Sequence, residues 1–323
     1  MEKYSQFRDR GSGISPFIPT STPTSTFYTF ARFFVFLFRL PIFLGYCAVY
    51  FLLLAQLPLP LAFRKLLLWG MLGIPGIWWV DLQLDGVKRG SLSQQPPSRV
   101  PHPRSVIAAQ FTSPVDALYL AAIFDPIFTI SYPRTRKVQR ISLFRALTLA
   151  LSSPAIEPPP GARLTTLRAL VEQNPHRVVA VFPEMSTTNG KGILPFSPSL
   201  LSAPAGAEIF PVSMRYTPPD ITTPVPGAYV PFLWNLLSRP THCIRVRIAE
   251  AVANTSASGS MVNGVSGEAD DGYAQHEDDL TPDEKRVIDH VGEDLARLAR
   301  NKRVGLTLRD KAAFINAWKK GRK

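Results

Sequence analysis

Between Phe27 and Phe63 the chain carries only two charges, Arg32 and Arg39, and from Leu40 to Phe63 it carries none. A stretch this long that is apolar on every side offers no face to water, so it belongs in a bilayer or against one. A second uncharged run, Leu66–Val80, follows Arg64 and Lys65 and holds Trp69, Trp78 and Trp79. Tryptophan is favoured at the membrane interface. Two topologies fit: a single span followed by an interfacial helix, or a helical hairpin that dips into one leaflet and returns. Pro41, Pro58 and Pro60 interrupt a clean span, and basic residues flank the block on both sides. The preferred reading is therefore a hairpin with both ends cytosolic.

The formal net charge of +12 suits nucleic acid, an anionic lipid surface or phosphorylated substrates. Lipid is the expected partner here, because strongly apolar segments accompany the charge. The chain has no basic helix with interleaved aromatics, which argues against a nucleic-acid partner. The histidines His102, His176, His242, His276 and His290 are scattered, and Cys47 and Cys243 lie far apart. No metal site is expected from that scatter, and no disulfide is expected between Cys47 in the apolar block and Cys243 in an expected strand. A G-x-S-x-G elbow and a Walker phosphate loop are both missing.

Five regions follow from the pattern. Residues 1–26, rich in Gly, Pro, Ser and Thr, predict an extended cytosolic leader rather than a secretory signal. Residues 27–80 form the membrane-associated segment. Residues 81–249 alternate strands with helices and predict an α/β domain with a mixed sheet. Strands are expected over Asp81–Gly86, Ser105–Ala109, Pro126–Ile130, Arg177–Val181, Glu208–Tyr216 and, last, His242–Ala249. Helices are expected over Ala117–Ile123, Ser142–Leu151 and Ala162–Gln173. Pro211 predicts a sheet edge or bulge, and Phe232–Leu237 a short apolar segment suited to lipid or an apolar ligand. Residues 250–280 are too polar to bury a core and predict a disordered acidic insert. Residues 281–323 predict C-terminal helices, opened by a Thr281/Glu284 capping box, and a basic tail.

Two turns concentrate the polar chemistry. In VVAVFPEMSTTNGKG an apolar strand ends at Phe182-Pro183 and delivers Glu184 to the strand exit, the usual place for chemistry in an α/β sheet. Ser186, Thr187, Thr188, Asn189, Gly190 and Lys191 follow: small donors, one flexible backbone position and a cation, a run able to wrap a phosphate. A polar turn after a core strand has the same composition. The second turn is QFTSPVD, Gln110–Asp116. Asp116 opens a helix, where a carboxylate caps free N–H groups. Arg134, Arg136, Lys137 and Arg140 make the densest cationic patch nearby.

TSPVDALYLAA, Thr112–Ala122, and FPEMSTTNGKGILPFSPS, Phe182–Ser199, stand about seventy residues apart. Together they resemble the two main motifs of the glycerolipid acyltransferases of PlsC type: His, four residues and Asp, then Phe-Pro-Glu-Gly-Thr. IFPVSMRY, Ile209–Tyr216, is similar to that family's late strand. The leader MEKYSQFRDRGSGISPFIP resembles that of the fungal lysophosphatidic acid:oleoyl-CoA acyltransferase branch. The resemblance implies a glycerol-3-phosphate acyltransferase-like α/β fold, a mixed sheet flanked by helices, with an N-terminal membrane-embedded helical segment. It implies acyl transfer from acyl-CoA, a co-substrate rather than a bound cofactor, to lysophosphatidic acid, giving phosphatidic acid. It places the domain on the cytosolic face of the endoplasmic reticulum membrane or on lipid droplets. Asp116 and Glu184 then take the catalytic positions. Gln110, Thr112, Ser113 and the residues from Ser186 to Lys191 become candidate substrate contacts.

The chain departs from the family in three places. Phe111 replaces the motif histidine, Met185 the glycine, and Thr187 a frequent arginine. Phenylalanine cannot take a proton. Another group or the substrate phosphate then serves as base, or positioning and charge alone give slow transfer. Alternatively the domain binds lipid or acyl-CoA without converting it, or anchors partner proteins at the membrane.

Overall fold

The computed structural model describes residues 2–23, 25–87, 95–256 and 280–321. Most of the expected disordered insert, residues 257–279, lies outside that set. The sheet of the α/β domain has nine strands. In chain order its elements are β1 (Ile77–Leu84), β2 (Val106–Ala109), β3 (Ile127–Ser131), β4 (Val138–Ile141), β5 (Leu164–Thr165), β6 (Val179–Val181), β8 (Glu208–Thr217), β9 (His242–Ile248) and β10 (Val252–Ala253). A separate pair joins β7 (Gly192–Ile193) to β11 (Lys302–Arg303). The spatial order is β1-β9-β8-β2-β6-β3-β4-β5, with β10 on β8. The pairings of β2 with β6 and β8, of β3 with β6 and of β1 with β9 are parallel, and the rest of the main sheet is antiparallel. The expected mixed sheet flanked by helices is therefore present.

The period of two along a strand sorts the core into two layers. Ile107, Ala109, Val178 and Ala180 face one side, while Val106, Ala108, Val179 and Val181 face the other. The first layer packs under α2 (Leu61–Gly73), α3 (Pro114–Phe124), α4 (Leu143–Leu149) and α6 (Tyr229–Leu237). The second packs under α5 (Leu167–Gln173) and α7 (Pro282–Ala299). Each fully buried Leu, Val or Ile contributes about 1.5–3 kcal/mol. The apolar run of α3 is buried from Pro114 to Ala122, which fixes the turn before it.

Pro211 lies in an interior strand, with Ala108 opposite it on β2. The expected sheet edge is absent. On the other side of β8 the proline falls between Ile209, paired with β10, and Val212, paired with β9. At that change of partner the missing N–H leaves no gap in a ladder. The strands continue past β9, because β10 and β11 add short pairings.

The apolar block forms α1 (Thr26–Leu52), with Pro41 inside it. Thr26–Gln56 is long and apolar enough to cross a membrane. The helix nevertheless lies against the domain. Arg32 donates to the Ser238 hydroxyl at 2.7 and 3.0 Å and sits over the Trp234 ring. Arg39 donates to the Arg239 carbonyl at 2.6 Å. The Trp-containing run is not wholly helical: α2 ends at Gly73, and Trp78 and Trp79 stand exposed on β1. Phe27, Phe30, Phe34 and Phe38 are exposed along α1.

The leader is not simply extended. Glu2–Phe7 forms a 3-10 helix. Phe17 is fully buried and, with Phe7, packs on Phe314 of α8 (Leu308–Lys320).

Candidate active site

Val106, Ile107 and Ala108 of β2 stand opposite Val179, Ala180 and Val181 of β6. The strands are parallel, so both release their motif turns at the same end of the sheet. The turns touch. The Thr188 amide donates to the Phe111 carbonyl at 3.1 Å. Gly190 has φ +72°, and a Cβ there would stand 3.6 Å from the Thr112 side chain. Phe111 stacks on Phe182 with centroids 4.3 Å apart.

The first turn is a capping box. The Ser113 side chain caps α3, and Asp116 at the third helical position reaches back. Asp116 Oδ2 accepts from the Thr112 amide at 2.6 Å, the Thr112 hydroxyl at 3.0 Å and the Ser113 amide at 2.9 Å. Its Oδ1 accepts from the Tyr216 hydroxyl. Burial pushes this carboxyl up to about 6, and the four donors oppose that rise. Burial and the neighbouring Asp116 hold the Tyr216 phenol well above its ordinary value. The Ser113 hydroxyl donates to the Ile221 carbonyl at 2.9 Å. The Thr112 carbonyl accepts from Thr223 at 2.8 Å. Gln110 Oε1 accepts from Ser213 at 3.1 Å, while its Nε2 has no partner among the described residues.

The second turn holds Glu184 fully buried. Oε2 accepts from the Leu194 amide at 3.1 Å. Oε1 has no partner in hydrogen-bond geometry among the described residues. Burial pushes this carboxyl up to about 8. The Leu194 and Phe111 amides and the charge of Lys311 pull it down, and Asp116 pushes it further up. Met185 has φ +58°. That left-handed backbone favours glycine, the family's residue at this place, and costs a side chain about 1–2 kcal/mol.

The polar run after Met185 is mostly bound to the protein itself. Thr187 donates to the Thr223 carbonyl at 2.6 Å, and Thr188 accepts from the Gly190 amide at 3.3 Å. The Asn189 side chain donates to the leader carbonyls of Ser15 and Ile18, both at 2.8 Å. Its amide donates to the Pro16 carbonyl at 2.8 Å. Lys191 is exposed, and its amide donates to Asn189 at 3.0 Å. The structure thus brings Asp116, Glu184 and their polar neighbours together and leaves the Lys191 side chain in solvent.

A cleft of about 610 Å³ opens on the Glu184 side of this cluster, lined also by Met185, Leu194, Phe196, Ile288 and Leu308. Arg134, Lys285 and Arg309 stand in its wall and pair with no group among the described residues. Arg303, also in the wall, pairs with Asp289 at 2.8 Å. Of the predicted cationic patch, Arg134 reaches the cleft. Arg136 instead binds Glu284 through two nitrogens, at 2.7 and 3.2 Å.

Two residues outside the sequence-derived set complete the site. Tyr216 comes from β8. Lys311 comes from α8, is fully buried, and donates to the Ser186 hydroxyl at 2.7 Å and to the Thr187 carbonyl. Burial pulls its amine down to about 7, against the charge of Glu184. The sequence carries a signal for Lys311. Leu308, Lys311, Phe314 and Ile315 are the buried positions of α8, a lysine at helical spacing on an apolar face.

No family model matches the chain. A Schizosaccharomyces pombe protein whose name carries the words lysophosphatidic acid:oleoyl-CoA acyltransferase is 27% identical over 256 residues, 77% of this chain and 84% of that protein. The Saccharomyces cerevisiae lysophosphatidic acid:oleoyl-CoA acyltransferase 1 is 26% identical over 198 residues, 61% of each chain. The motifs and the matches point the same way: this chain is similar to the fungal lysophosphatidic acid:oleoyl-CoA acyltransferases.

Proposed function

We propose that the protein is a membrane-associated, acyl-CoA-dependent O-acyltransferase that converts lysophosphatidic acid to phosphatidic acid. The observation that carries this reading is the convergence of the two motif turns. Asp116 and Glu184 come from separate strand ends, yet each carboxylate is fully buried, and a basic cleft opens on Glu184. Acyl-CoA and lysophosphatidic acid are both anionic, so Arg134, Lys285 and Arg309 have obvious partners. The exposed aromatic face of α1 would hold the domain at the membrane. We place the domain on the cytosolic face of the endoplasmic reticulum or a lipid droplet.

The test uses the full chain in liposomes with labelled oleoyl-CoA and lysophosphatidic acid. Labelled phosphatidic acid should form, and Glu184→Ala should abolish it. No product above that control overturns the proposal. The stacking of Phe111 on Phe182 favours a second reading, because the position of the family's base is packed shut. On that reading the domain binds oleoyl-CoA with no conversion, which the same assay separates by bound label without product.

A further inference from the structure

Lys311 reaches the second motif from the far end of the chain. Its Nζ donates to the Ser186 hydroxyl at 2.7 Å, to the Thr187 carbonyl, and to the Thr187 hydroxyl at 3.3 Å. An ammonium has three hydrogens, and each finds an acceptor on this one turn. Lys311 is fully buried, which a lysine almost never is unless partners hold it there. Its partners directly follow Glu184 and Met185 in the chain.

The turn needs holding. Met185 stands at φ +58°, and strained backbone of this kind persists only where its surroundings over-determine it. Before the strained position, the Met185 amide donates to the Phe182 carbonyl at 3.0 Å, and Glu184 accepts from the Leu194 amide at 3.1 Å. After it come Ser186 and Thr187, the two residues that Lys311 grips. The lysine is itself fixed in place. A Thr307/Asp310 capping box opens α8, and Phe314, one turn past Lys311, packs edge-on against Phe7 of the leader at 5.3 Å. Leu308, one turn before Lys311, lines the cleft beside Glu184 and Met185. The charges of Glu184 and Lys311 each favour the ionised form of the other.

We propose that Lys311 is a positioning residue, which holds the left-handed turn of the second motif closed and so fixes Glu184 in the cleft. What Glu184 does there rests on the acyl-transfer reading above, whereas the hold on the turn does not. Removing the ammonium leaves three acceptors unpaired in the core. Met185 then relaxes toward negative φ, and Glu184, its neighbour, loses its placing. The lysine and the strain are therefore coupled. A glycine at position 185 takes positive and negative φ about equally, so the turn then depends less on Lys311. The strain of one left-handed side chain corresponds to roughly fivefold to thirtyfold in an equilibrium.

The experiment compares the full chain in phosphatidylcholine vesicles with Lys311→Met, Met185→Gly and the double variant. Amide hydrogen exchange is read by mass spectrometry, alongside kcat and KM for phosphatidate formation from oleoyl-CoA and lysophosphatidic acid. Lys311→Met should speed exchange across residues 185–188 by about tenfold or more and leave the β2 and β6 peptides unchanged. It should lower kcat by about tenfold or more and keep KM for oleoyl-CoA within about threefold, because the cations of the cleft wall are untouched. With glycine at position 185 the same substitution should quicken exchange roughly fivefold to thirtyfold less. Exchange that stays slow at 185–188 in Lys311→Met overturns the proposal. So does an equal effect of Lys311→Met in both backgrounds, because a lysine that merely fills the core is indifferent to residue 185. A faster turn with unchanged kcat overturns the link to Glu184. No phosphatidate from the unaltered chain overturns acyl transfer, and exchange then decides the hold on the turn by itself.

Discussion

The ring of Phe111 lies on the ring of Phe182, 23° from parallel, where the resemblance places a histidine. Both rings are buried, and Phe128 lies beyond Phe182 in the same stack. An imidazole here would give up apolar contact and need a hydrogen-bond partner. Asp116, the carboxylate of the same motif, already accepts four hydrogen bonds. Phe111→His should therefore destabilise the protein by about 1–3 kcal/mol. It should also leave oleoyl transfer no faster. Denaturant midpoints and the liposome assay check both, and a large gain in rate would show that the missing histidine limits a surviving site.

Asp116 is a structural hub before it is anything else. Asp116→Ala leaves the Thr112 and Ser113 amides and the Tyr216 hydroxyl unpaired in the core. The expected cost is about 3–5 kcal/mol, because several buried donors lose their acceptor at about 1–3 kcal/mol each. Tyr216→Phe removes one donor and should cost about 1–2 kcal/mol. Equal costs for the two variants, measured by denaturant titration, would refute the hub.

Much of this is legible in the sequence. Apolar runs ended by turn residues mark the strands on either side of the site, and a carboxylate at the start of an apolar helix marks the cap at Asp116. Long-range partners were not legible. Lys311 meets Ser186 across 125 positions, and no local pattern announces such a pair. The leader looked extended because its order comes from Asn189 gripping backbone carbonyls, which every residue possesses. Pro211 suggested an edge because the sequence does not say where a strand changes partner. The two-residue pairings of β10 and β11 are too short to show any period.

The buried ionisable groups predict a valley in stability against pH. Glu184 has a folded value of about 8 against an ordinary 4.5. The native state keeps a proton that the unfolded chain has lost, so its contribution is full below 4.5 and is lost as pH rises through about 8. Lys311 is the reverse, at about 7 against 10.5. The unfolded chain holds a proton that the native state does not, so stability rises as pH climbs from about 7 to 10.5. Unfolding free energy should fall from weakly acidic to neutral pH, flatten where the slopes oppose, and rise in the alkaline range. Glu184→Gln should leave only the part of the fall below about 6 that Asp116 supplies. Lys311→Met should remove the rise. A rise that survives Lys311→Met would assign it elsewhere.

Asn189 ties the leader to the second motif through three hydrogen bonds, to Ser15, Pro16 and Ile18. Asn189→Ala deletes the two side-chain bonds to the leader, along with the one from the Lys191 amide, and leaves two leader carbonyls beside a methyl. At about 1 kcal/mol per bond, local opening becomes roughly tenfold to thirtyfold more frequent. Trypsin cleavage at the exposed Arg8 and Arg10 should quicken by that factor, with cleavage elsewhere unchanged. An unchanged rate would mean that the Phe7 and Phe17 contacts alone hold the leader.

The membrane face can be located by its tryptophans. Trp78 and Trp79 are 66% and 71% exposed on β1, directly after α2. Trp234 lies under α1 against Phe36, and Trp318 packs between Tyr4 and Phe314 at the leader. Indole rings left this bare beside apolar helices are placed as interfacial anchors. In vesicles carrying brominated acyl chains, Trp78→Phe with Trp79→Phe should remove roughly half or more of the quenchable fluorescence. Trp318→Phe should remove none, because its ring faces the leader. If Trp318→Phe removes as much as the double variant, the bilayer contacts the leader side, and the face built from α1, α2 and β1 is not the one that meets lipid.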